Sequence, residues 1–335
     1  MNARPGFTAS LSSGKTFDAP PDVSLLDAAQ ASGLVLEHSC RSGRCGSCRA
    51  EVRAGSVVPI KPDLSLSDSE RAQGWVLTCA SAAASDVALD IDDLGLPADI
   101  IVRTLPCRIA SLERLAPDVM NVELRLPPNT DFRYLPGQYI DLIASGGVRR
   151  SYSLANVRSA AGNLELHIRQ VPGGALSHYW FEQARTGDLL RFEGPRGTFF
   201  LRDIEGLDVI FLATGTGIAP VKAMLMQLAQ GTDASRPRSM RLLWGGRREA
   251  DLYWKPEDLN PSVHYIPVLS RPEPGWTAAS GHVQDVLLRS SPKLEHAMVY
   301  ACGSSAMIDS ARSALMAAGL PAGRFLSDAF VSSSN

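Results

Sequence analysis

The chain has 335 residues, 45% of them apolar, with 33 lysines and arginines against 35 aspartates and glutamates for a formal net charge of −2. That length exceeds one small domain and predicts two or three, and the near-balance of charge excludes a global pull toward nucleic acid or an anionic membrane. No stretch approaches the roughly 20 apolar residues that cross a bilayer, and no charged-then-apolar leader opens the chain, so the expected location is the cytoplasm.

The first segment, residues 1–95, reads as short strands around one main helix. Ser24-Leu-Leu-Asp27 opens an apolar-periodic helix (Leu25, Leu26, Ala29) that ends at Gly33. Cys40, Cys45 and Cys48 follow with gaps of four and then two residues, and Cys79 completes the set. This is the plant-type spacing in which four thiolates hold the two irons of a 2Fe-2S cluster. Three such close ligands force the loop to curl with its amides toward the inorganic sulfides, and Gly43 and Gly46 supply the torsions and close approach this needs. The rival is a structural zinc site in a non-enzymatic interaction module. Such sites carry paired two-residue spacings, of which only one half is present. Thiolates kept for iron also suit a reducing compartment. Arg41, Arg44, Arg49 and Arg53 surround the loop and read equally as a solvated basic face or a docking patch for an acidic partner. Ser67-Asp-Ser-Glu70 is a second capping box, residues 75–79 form a strand delivering the last cysteine, and residues 87–91 form a closing strand.

An aperiodic run with Gly and Pro leads through a linker at 96–103 into an all-β pattern at 104–204. Met120, Val122, Leu124 and Leu126 alternate with polar residues, as do residues 164–169, which predicts an antiparallel barrel of about six strands. Within it, Arg150-Ser-Tyr152-Ser153 can serve one ligand in three ways: a guanidinium for a phosphate, a ring for an aromatic cofactor, a hydroxyl for a ring nitrogen. Alone the motif is weak and reads as a strand. Gly173-Gly174-Ala-Leu-Ser177, ahead of a helix at 178–184, adds weight because a glycine-preceded helix start offers free amides to a pyrophosphate.

From 205 onward, near-continuous apolar runs at 209–213, 241–244, 265–269 and 298–301 alternate with helical stretches, the pattern of buried parallel strands with crossover helices. Thr214-Gly215-Thr216-Gly217-Ile-Ala-Pro220 joins the first of these strands to an apolar-periodic helix at 221–229. A glycine pair after a strand is a common turn, but strand–turn–helix is the context in which such a turn holds a dinucleotide pyrophosphate, and Pro220 suits the first helical turn. Cys302-Gly303 closes the last run, at the sheet edge where ligands collect, although a buried structural cysteine is the competing reading. Ser270-Arg271 at a strand end could pair with a 2′-phosphate.

In this order, the cysteine quartet, Arg150-x-Tyr152-Ser153, Gly174-x-x-Ser177, Gly215-Thr-Gly217-Ile-Ala-Pro220, Cys302-Gly303 and Asp328-Ala-Phe330 resemble the ferredoxin reductase family, in particular members with a plant-type ferredoxin fused at the N-terminus. The resemblance spans essentially the whole chain. It implies an α+β multidomain architecture: a β-grasp 2Fe-2S ferredoxin domain at 1–95, an antiparallel β-barrel FAD domain at 104–204 and an α/β parallel-sheet NAD(P) domain at 205–335. It implies FAD rather than FMN, because the FMN-type relatives carry their ferredoxin at the C-terminus. Arg150 would hold the flavin pyrophosphate, Tyr152 would lie against the isoalloxazine and Ser153 would approach flavin N5. Gly174 and Ser177 would give amide and hydroxyl to the phosphates, while His167 and Arg169 are weaker candidates, His167 being favoured as an outward strand residue. Thr214, Gly215, Thr216, Gly217, Pro220 and Gly303 would hold NADH or NADPH. Cys302 would lie near nicotinamide C4 with Ser153 and Asp328 beside it, these three forming the catalytic set, and Phe330 would stack on the flavin. Residues 331–335 would then have to turn aside.

The implied activity is transfer of electrons from NAD(P)H through FAD and a 2Fe-2S cluster to a partner enzyme. Residues 137–143, 194–200 and 327–330 look most like the CDP-6-deoxy-Δ3,4-glucoseen reductase branch of the family, which serves a pyridoxamine-phosphate-dependent sugar dehydrase. Reductase components of aromatic-ring-hydroxylating and other multicomponent oxygenases share the architecture and form the alternative. Neither nucleic acid nor membrane is expected as a partner.

Overall fold

The computed structural model describes residues 6–95, 100–157, 162–231, 236–256, 259, 262–321 and 323–330. They belong to two compact units, one within Met1–Ala98 and one within Asp99–Phe330. Among the described residues no helix is long and apolar enough to cross a membrane.

The first unit runs β1 (Phe7–Ser10), β2 (Thr16–Ala19), α1 (Leu25–Ala31), β3 (Arg49–Ala54), β4 (Val57–Pro59), α2 (Asp68–Ala72), β5 (Trp75–Leu77), β6 (Ser81–Ala83) and β7 (Val87–Asp90). Five strands form one sheet in the order β2-β1-β7-β3-β5, and β4 pairs with β6. Helix α1 begins where the Ser24 hydroxyl accepts from the Asp27 amide at 3.0 Å, satisfying an orphan donor of the first turn. Its apolar face, Leu25, Leu26, Ala28 and Ala29, packs into a core with Leu36, Leu77 and Leu89. Both halves of the Ser67–Glu70 capping box form at the start of α2. The loop between α1 and β3 is therefore slung between a capped helix and a central strand.

The second unit opens with β8 (Arg103–Ala116), β9 (Val119–Arg125), β10 (Tyr139–Ile143), β11 (Arg149–Ser153), β12 (Leu164–Arg169), α3 (Ala175–His178) and β13 (Leu189–Arg196). The six strands are antiparallel in the order β11-β10-β13-β8-β9-β12, and a Leu154–Leu166 bridge joins the two ends into a barrel. Along β12, Leu164, Leu166 and Ile168 enter the barrel core beside Leu124 and Phe192, so Glu165, His167 and Arg169 face outward. The helix expected at 178–184 instead starts at Ala175 and widens after His178, where the Ala184 amide donates five residues back to the Tyr179 carbonyl at 2.7 Å. The extra residue in the turn lets Trp180 bury in the barrel core while the Tyr179 hydroxyl donates to Asp188 at 2.9 Å.

The chain then forms β14 (Asp208–Thr214), α4 (Ile218–Gln230), β15 (Ser239–Gly246), β16 (Val263–Leu269), β17 (Ala279–Ser280), α5 (Val283–Arg289), β18 (Ala297–Gly303), α6 (Ser305–Ala317) and β19 (Phe325–Ala329). All six strands are parallel, in the order β17-β16-β15-β14-β18-β19. From β14 the chain steps outward through β15, β16 and β17, then returns to the other side for β18 and β19. The strand order thus reverses between β14 and β18. Ligands of such sheets bind in the crevice beyond the carboxyl ends at that reversal.

Candidate redox centres and nucleotide site

The loop between α1 and β3 brings Cys40, Cys45 and Cys48 to Cys79, which lies in the turn after β5. The Thr78 amide donates to the Cys48 carbonyl at 2.9 Å and its hydroxyl does so at 3.1 Å, fixing the last cysteine beside the third. The thiols fall into two hydrogen-bonded pairs, Cys40 with Cys45 and Cys48 with Cys79. The hydrogen bond from Cys45 lowers the Cys40 thiol to about 5 and raises Cys45, and sharing within the second pair lowers Cys79 and raises Cys48. In a 2Fe-2S cluster each of the two irons takes two protein thiolates, and two thiol pairs fit that division.

The surroundings of these thiols fit a cluster as well. The Ser42 amide points at the Cys40 sulfur at 3.4 Å and the Cys40 amide at the Cys45 sulfur at 3.5 Å. At Gly43, φ is +74° and a Cβ would lie 2.1 Å from the Pro62 carbonyl oxygen, so this tight curl admits only glycine. The basic residues around the loop are used internally. Arg41 pairs with Asp27, Arg49 pairs with Glu70 at 3.0 Å and donates to the Gly46 carbonyl at 3.1 Å, and Arg53 pairs with Glu51 and Asp90.

On the barrel, Arg150, Tyr152 and Ser153 lie along the edge strand β11, opposite Leu142, Ile140 and Tyr139 of β10. The half-buried Arg150 guanidinium donates to the Arg149 carbonyl at 2.8 Å, and among the described residues no carboxylate pairs with it. Its charge is thus available to an anion. The Tyr152 hydroxyl accepts from Trp180 Nε1 at 3.2 Å, and burial pushes its pKa up to about 12, so it stays a neutral phenol. The Ser177 hydroxyl accepts from the Val171 amide at 2.8 Å, which leaves its own proton to donate. Gly174 stands at the same helix start, its amide donating to the Val171 carbonyl at 3.0 Å.

On the sheet, the turn after Thr214, Gly215–Gly217, meets the end of β18. A Cβ on Gly217 would lie 2.2 Å from the Cys302 carbonyl oxygen, so the turn lies directly on that strand end only because residue 217 has no side chain. Thr216 is buried in this turn and Pro220 in the first turn of α4. Cys302 and Asp328 are register partners on β18 and β19, and the Ser153 hydroxyl donates to Asp328 Oδ2 at 3.4 Å from the barrel. Burial, reinforced by the Asp328 charge, raises the Cys302 thiol well above its usual range, so it is a neutral, fully buried thiol and not a nucleophile. The Phe330 amide donates to the Gly303 carbonyl at 2.7 Å, and its side chain is exposed. Residues 331–335, expected to turn aside, lie outside the described residues. Ser270 and Arg271 follow β16, their amides donating to the carbonyls of Gly246 and Arg247.

A polar seam between barrel and sheet escaped the sequence reading. Glu165 accepts from Lys222 of α4 at 2.5 Å and from His167 Nε2 at 2.9 Å. His167 does face outward from the barrel, but the α/β layer covers it. Its burial lowers its pKa, so the ring is neutral, with Nε2–H donating to Glu165 and Nδ1 accepting from the Tyr253 hydroxyl at 3.2 Å. Arg169 lies 3.1 Å from Asp118, donates to Asp251 at 3.3 Å and reaches over Gly215. One signal was available: Lys222 is the lone charge in the apolar helix sequence of α4.

Family models agree with this three-part layout. A 2Fe-2S iron-sulfur cluster binding domain matches residues 10–84, an oxidoreductase FAD-binding domain 106–201 and an oxidoreductase NAD-binding domain 211–313. The CDP-6-deoxy-L-threo-D-glycero-4-hexulose-3-dehydrase reductase of Yersinia pestis is 41% identical over 96% of this chain and 97% of its own length. Reductase component 2 of terephthalate 1,2-dioxygenase from a Comamonas species is 32% identical, over 94% of each chain. Among solved structures, the cytochrome P450 reductase GcoB of Amycolatopsis superposes with a TM-score of 0.75 at 29% identity, covering 98% of this chain and 100% of that one.

Because closed coordination of both irons needs all four thiolates, Cys45→Ser should purify without the cluster's visible absorbance and with little iron. The cores of the second unit contain none of these cysteines, so FAD content and NAD(P)H reduction of ferricyanide should persist. Loss of flavin along with iron would contradict this separation.

Proposed function

Because the chain belongs to the ferredoxin reductases that carry a plant-type ferredoxin ahead of FAD- and NAD-binding domains, we propose that its electron acceptor is a pyridoxamine-phosphate-dependent sugar dehydrase acting on a CDP-linked deoxyhexulose. The chain is an NAD(P)H-dependent FAD/2Fe-2S oxidoreductase. We place it in the cytoplasm, where a reducing environment preserves cluster thiolates. The observation that carries the acceptor is the 41% identity, spread over nearly the full length of both chains, to a reductase named for such a dehydrase, against 32% for the dioxygenase component.

When bound, FAD supplies the exchange between two-electron nicotinamide chemistry and one-electron transfer, and the 2Fe-2S cluster supplies the one-electron exit. The side chains bind, orient and exclude water. The uncompensated Arg150 guanidinium and the Ser177 hydroxyl would hold the flavin phosphates, with Gly174, whose amide donates to the Val171 carbonyl, at the same helix start. Tyr152 and Phe330 would supply aromatic surface to the flavin ring system. Thr214, Gly215, Thr216, Gly217, Pro220 and Gly303 bind the nicotinamide dinucleotide at the strand-order reversal. Ser153, whose hydroxyl donates to Asp328, would help orient the flavin toward the nicotinamide. Cys302, neutral and fully buried, would fill space beside the nicotinamide and help exclude water. Cys40, Cys45, Cys48 and Cys79 hold the irons.

Mixing the FAD- and cluster-loaded chain with NAD(P)H and each acceptor in turn tests the assignment. Acceptor-dependent nucleotide oxidation should appear with the sugar dehydrase and be absent with a dioxygenase oxygenase component; the opposite result would make the chain an oxygenase reductase. Arg150→Ala should weaken FAD retention by about 1.5–3 kcal/mol, the worth of a charge-assisted hydrogen bond. Unchanged FAD affinity would reduce the motif to an ordinary strand. Cys302→Ala should slow flavin reduction in stopped flow far more than it weakens nucleotide binding, since a displacement of about 1 Å can cost around a hundredfold. A lowered melting temperature with an unchanged reduction rate would leave Cys302 a packing residue.

A further inference from the structure

The buried seam between barrel and sheet takes no part in the roles assigned so far. Glu165 leaves the outward face of β12 and Lys222 leaves the second turn of α4, and each side chain is only 16% exposed. Burial alone would raise the Glu165 carboxyl. The hydrogen bond from His167 and the charge of Lys222 outweigh it and hold the group below the usual carboxylate range. A buried ion pair of this kind does little for stability compared with apolar residues of similar size, and its better-supported use is to specify one arrangement.

Both ends of the pair lead to the path along which the hydride would pass. The Glu165 amide donates to Asn156 Oδ1 at 3.0 Å and its carbonyl accepts from the Ala155 amide at 2.8 Å, tying it to the segment that leaves Ser153. Lys222 lies on the helix that the Gly215–Gly217 turn opens, and that turn rests on Cys302. The same layer continues through His167 to Tyr253, whose ring meets Trp244 edge-on at 5.1 Å, and Trp244 Nε1 donates to the Gly215 carbonyl at 3.0 Å. The Ser153–Asp328 and His167–Tyr253 hydrogen bonds and the Arg169–Asp251 ion pair also cross between barrel and sheet layer, and among these contacts the Glu165–Lys222 pair is the one that reaches α4, the helix opened by the Gly215–Gly217 turn.

We propose that Glu165 and Lys222 are positioning residues, a clamp that locks the barrel against the helix behind the Gly215–Gly217 turn and so sets the distance between flavin and nicotinamide. The clamp deepens the reading of Ser153 and Cys302 as neighbours of the hydride path and rests on it. The double variant E165Q/K222M tests the clamp, because an amide in place of the Glu165 carboxylate can still accept from His167 while both charges leave together and neither is stranded. In stopped flow with the FAD-loaded full chain, flavin reduction at saturating NAD(P)H should slow by about tenfold or more while nucleotide Kd changes by less than about threefold. FAD content and melting temperature should be retained. Hydrogen exchange of the variant without nucleotide should quicken in β12 and the first turns of α4, a readout that needs no turnover.

A parental reduction rate overturns the proposal, and so does slowing that merely tracks lost FAD or a lowered melting point. Ser153→Ala, measured alongside, separates the clamp from the hydride path it rests on. If Ser153→Ala is slow and E165Q/K222M is fast, the clamp is wrong and the hydride path stands. If E165Q/K222M is slow and Ser153→Ala is fast, the clamp stands and the placement of Ser153 is wrong.

Discussion

The turn after β14 can lie on the end of β18 only because residue 217 is glycine, where a Cβ would fall 2.2 Å from the Cys302 carbonyl oxygen. From that approach the rest of the larger unit follows. It sets the Gly215–Gly217 turn on Cys302, whose register partner is Asp328, which in turn accepts the hydroxyl of Ser153 across 175 residues of chain. Reacting atoms must come within about 3–3.5 Å for productive transfer. The groups proposed to surround them are borne on strand ends and a helix start, whose backbones are fixed by ladders, and such elements hold geometry more precisely than free loops do.

How much of this was legible depended on how local each signal is. The cysteine quartet could be read because three ligands fall within nine residues, and ligand chemistry constrains spacing directly. The barrel and the parallel sheet announced themselves by period, two for half-buried strands and continuous for buried ones. The wide turn after His178 could not be read, because it reflects how Trp180 fits the barrel core, a tertiary matter. Nor could the seam. Glu165 and Lys222 lie 57 residues apart, and the alternation along β12 says only that Glu165 and His167 leave the barrel, not that another layer waits there.

Arg41, Arg44, Arg49 and Arg53 read equally as a solvated face or a docking patch. Arg41, Arg49 and Arg53 each pair with carboxylates of their own unit, and Arg41 and Arg49 are only 23% exposed in their side chains. Exposed ion pairs contribute little energy, but these two anchor the cysteine loop to α1 and α2.

Burial also sets the protonation of three groups in the larger unit. It keeps the Cys302 thiol and the Tyr152 phenol protonated and the His167 ring neutral. None of the three therefore changes charge near neutral pH, and each fills space with a group that neither ionises nor attacks. A hydride needs no general acid from the chain, because the cofactors carry the chemistry. What it needs from the protein is fixed geometry and the absence of water, which would otherwise compete for the reactive positions. Cys48 and Cys79, proposed as cluster ligands, sit in a different core, packed with Leu26 and Leu77. In the proposed pathway, entry and exit of electrons are thus built on separate hydrophobic cores, and a change in one leaves the packing of the other intact.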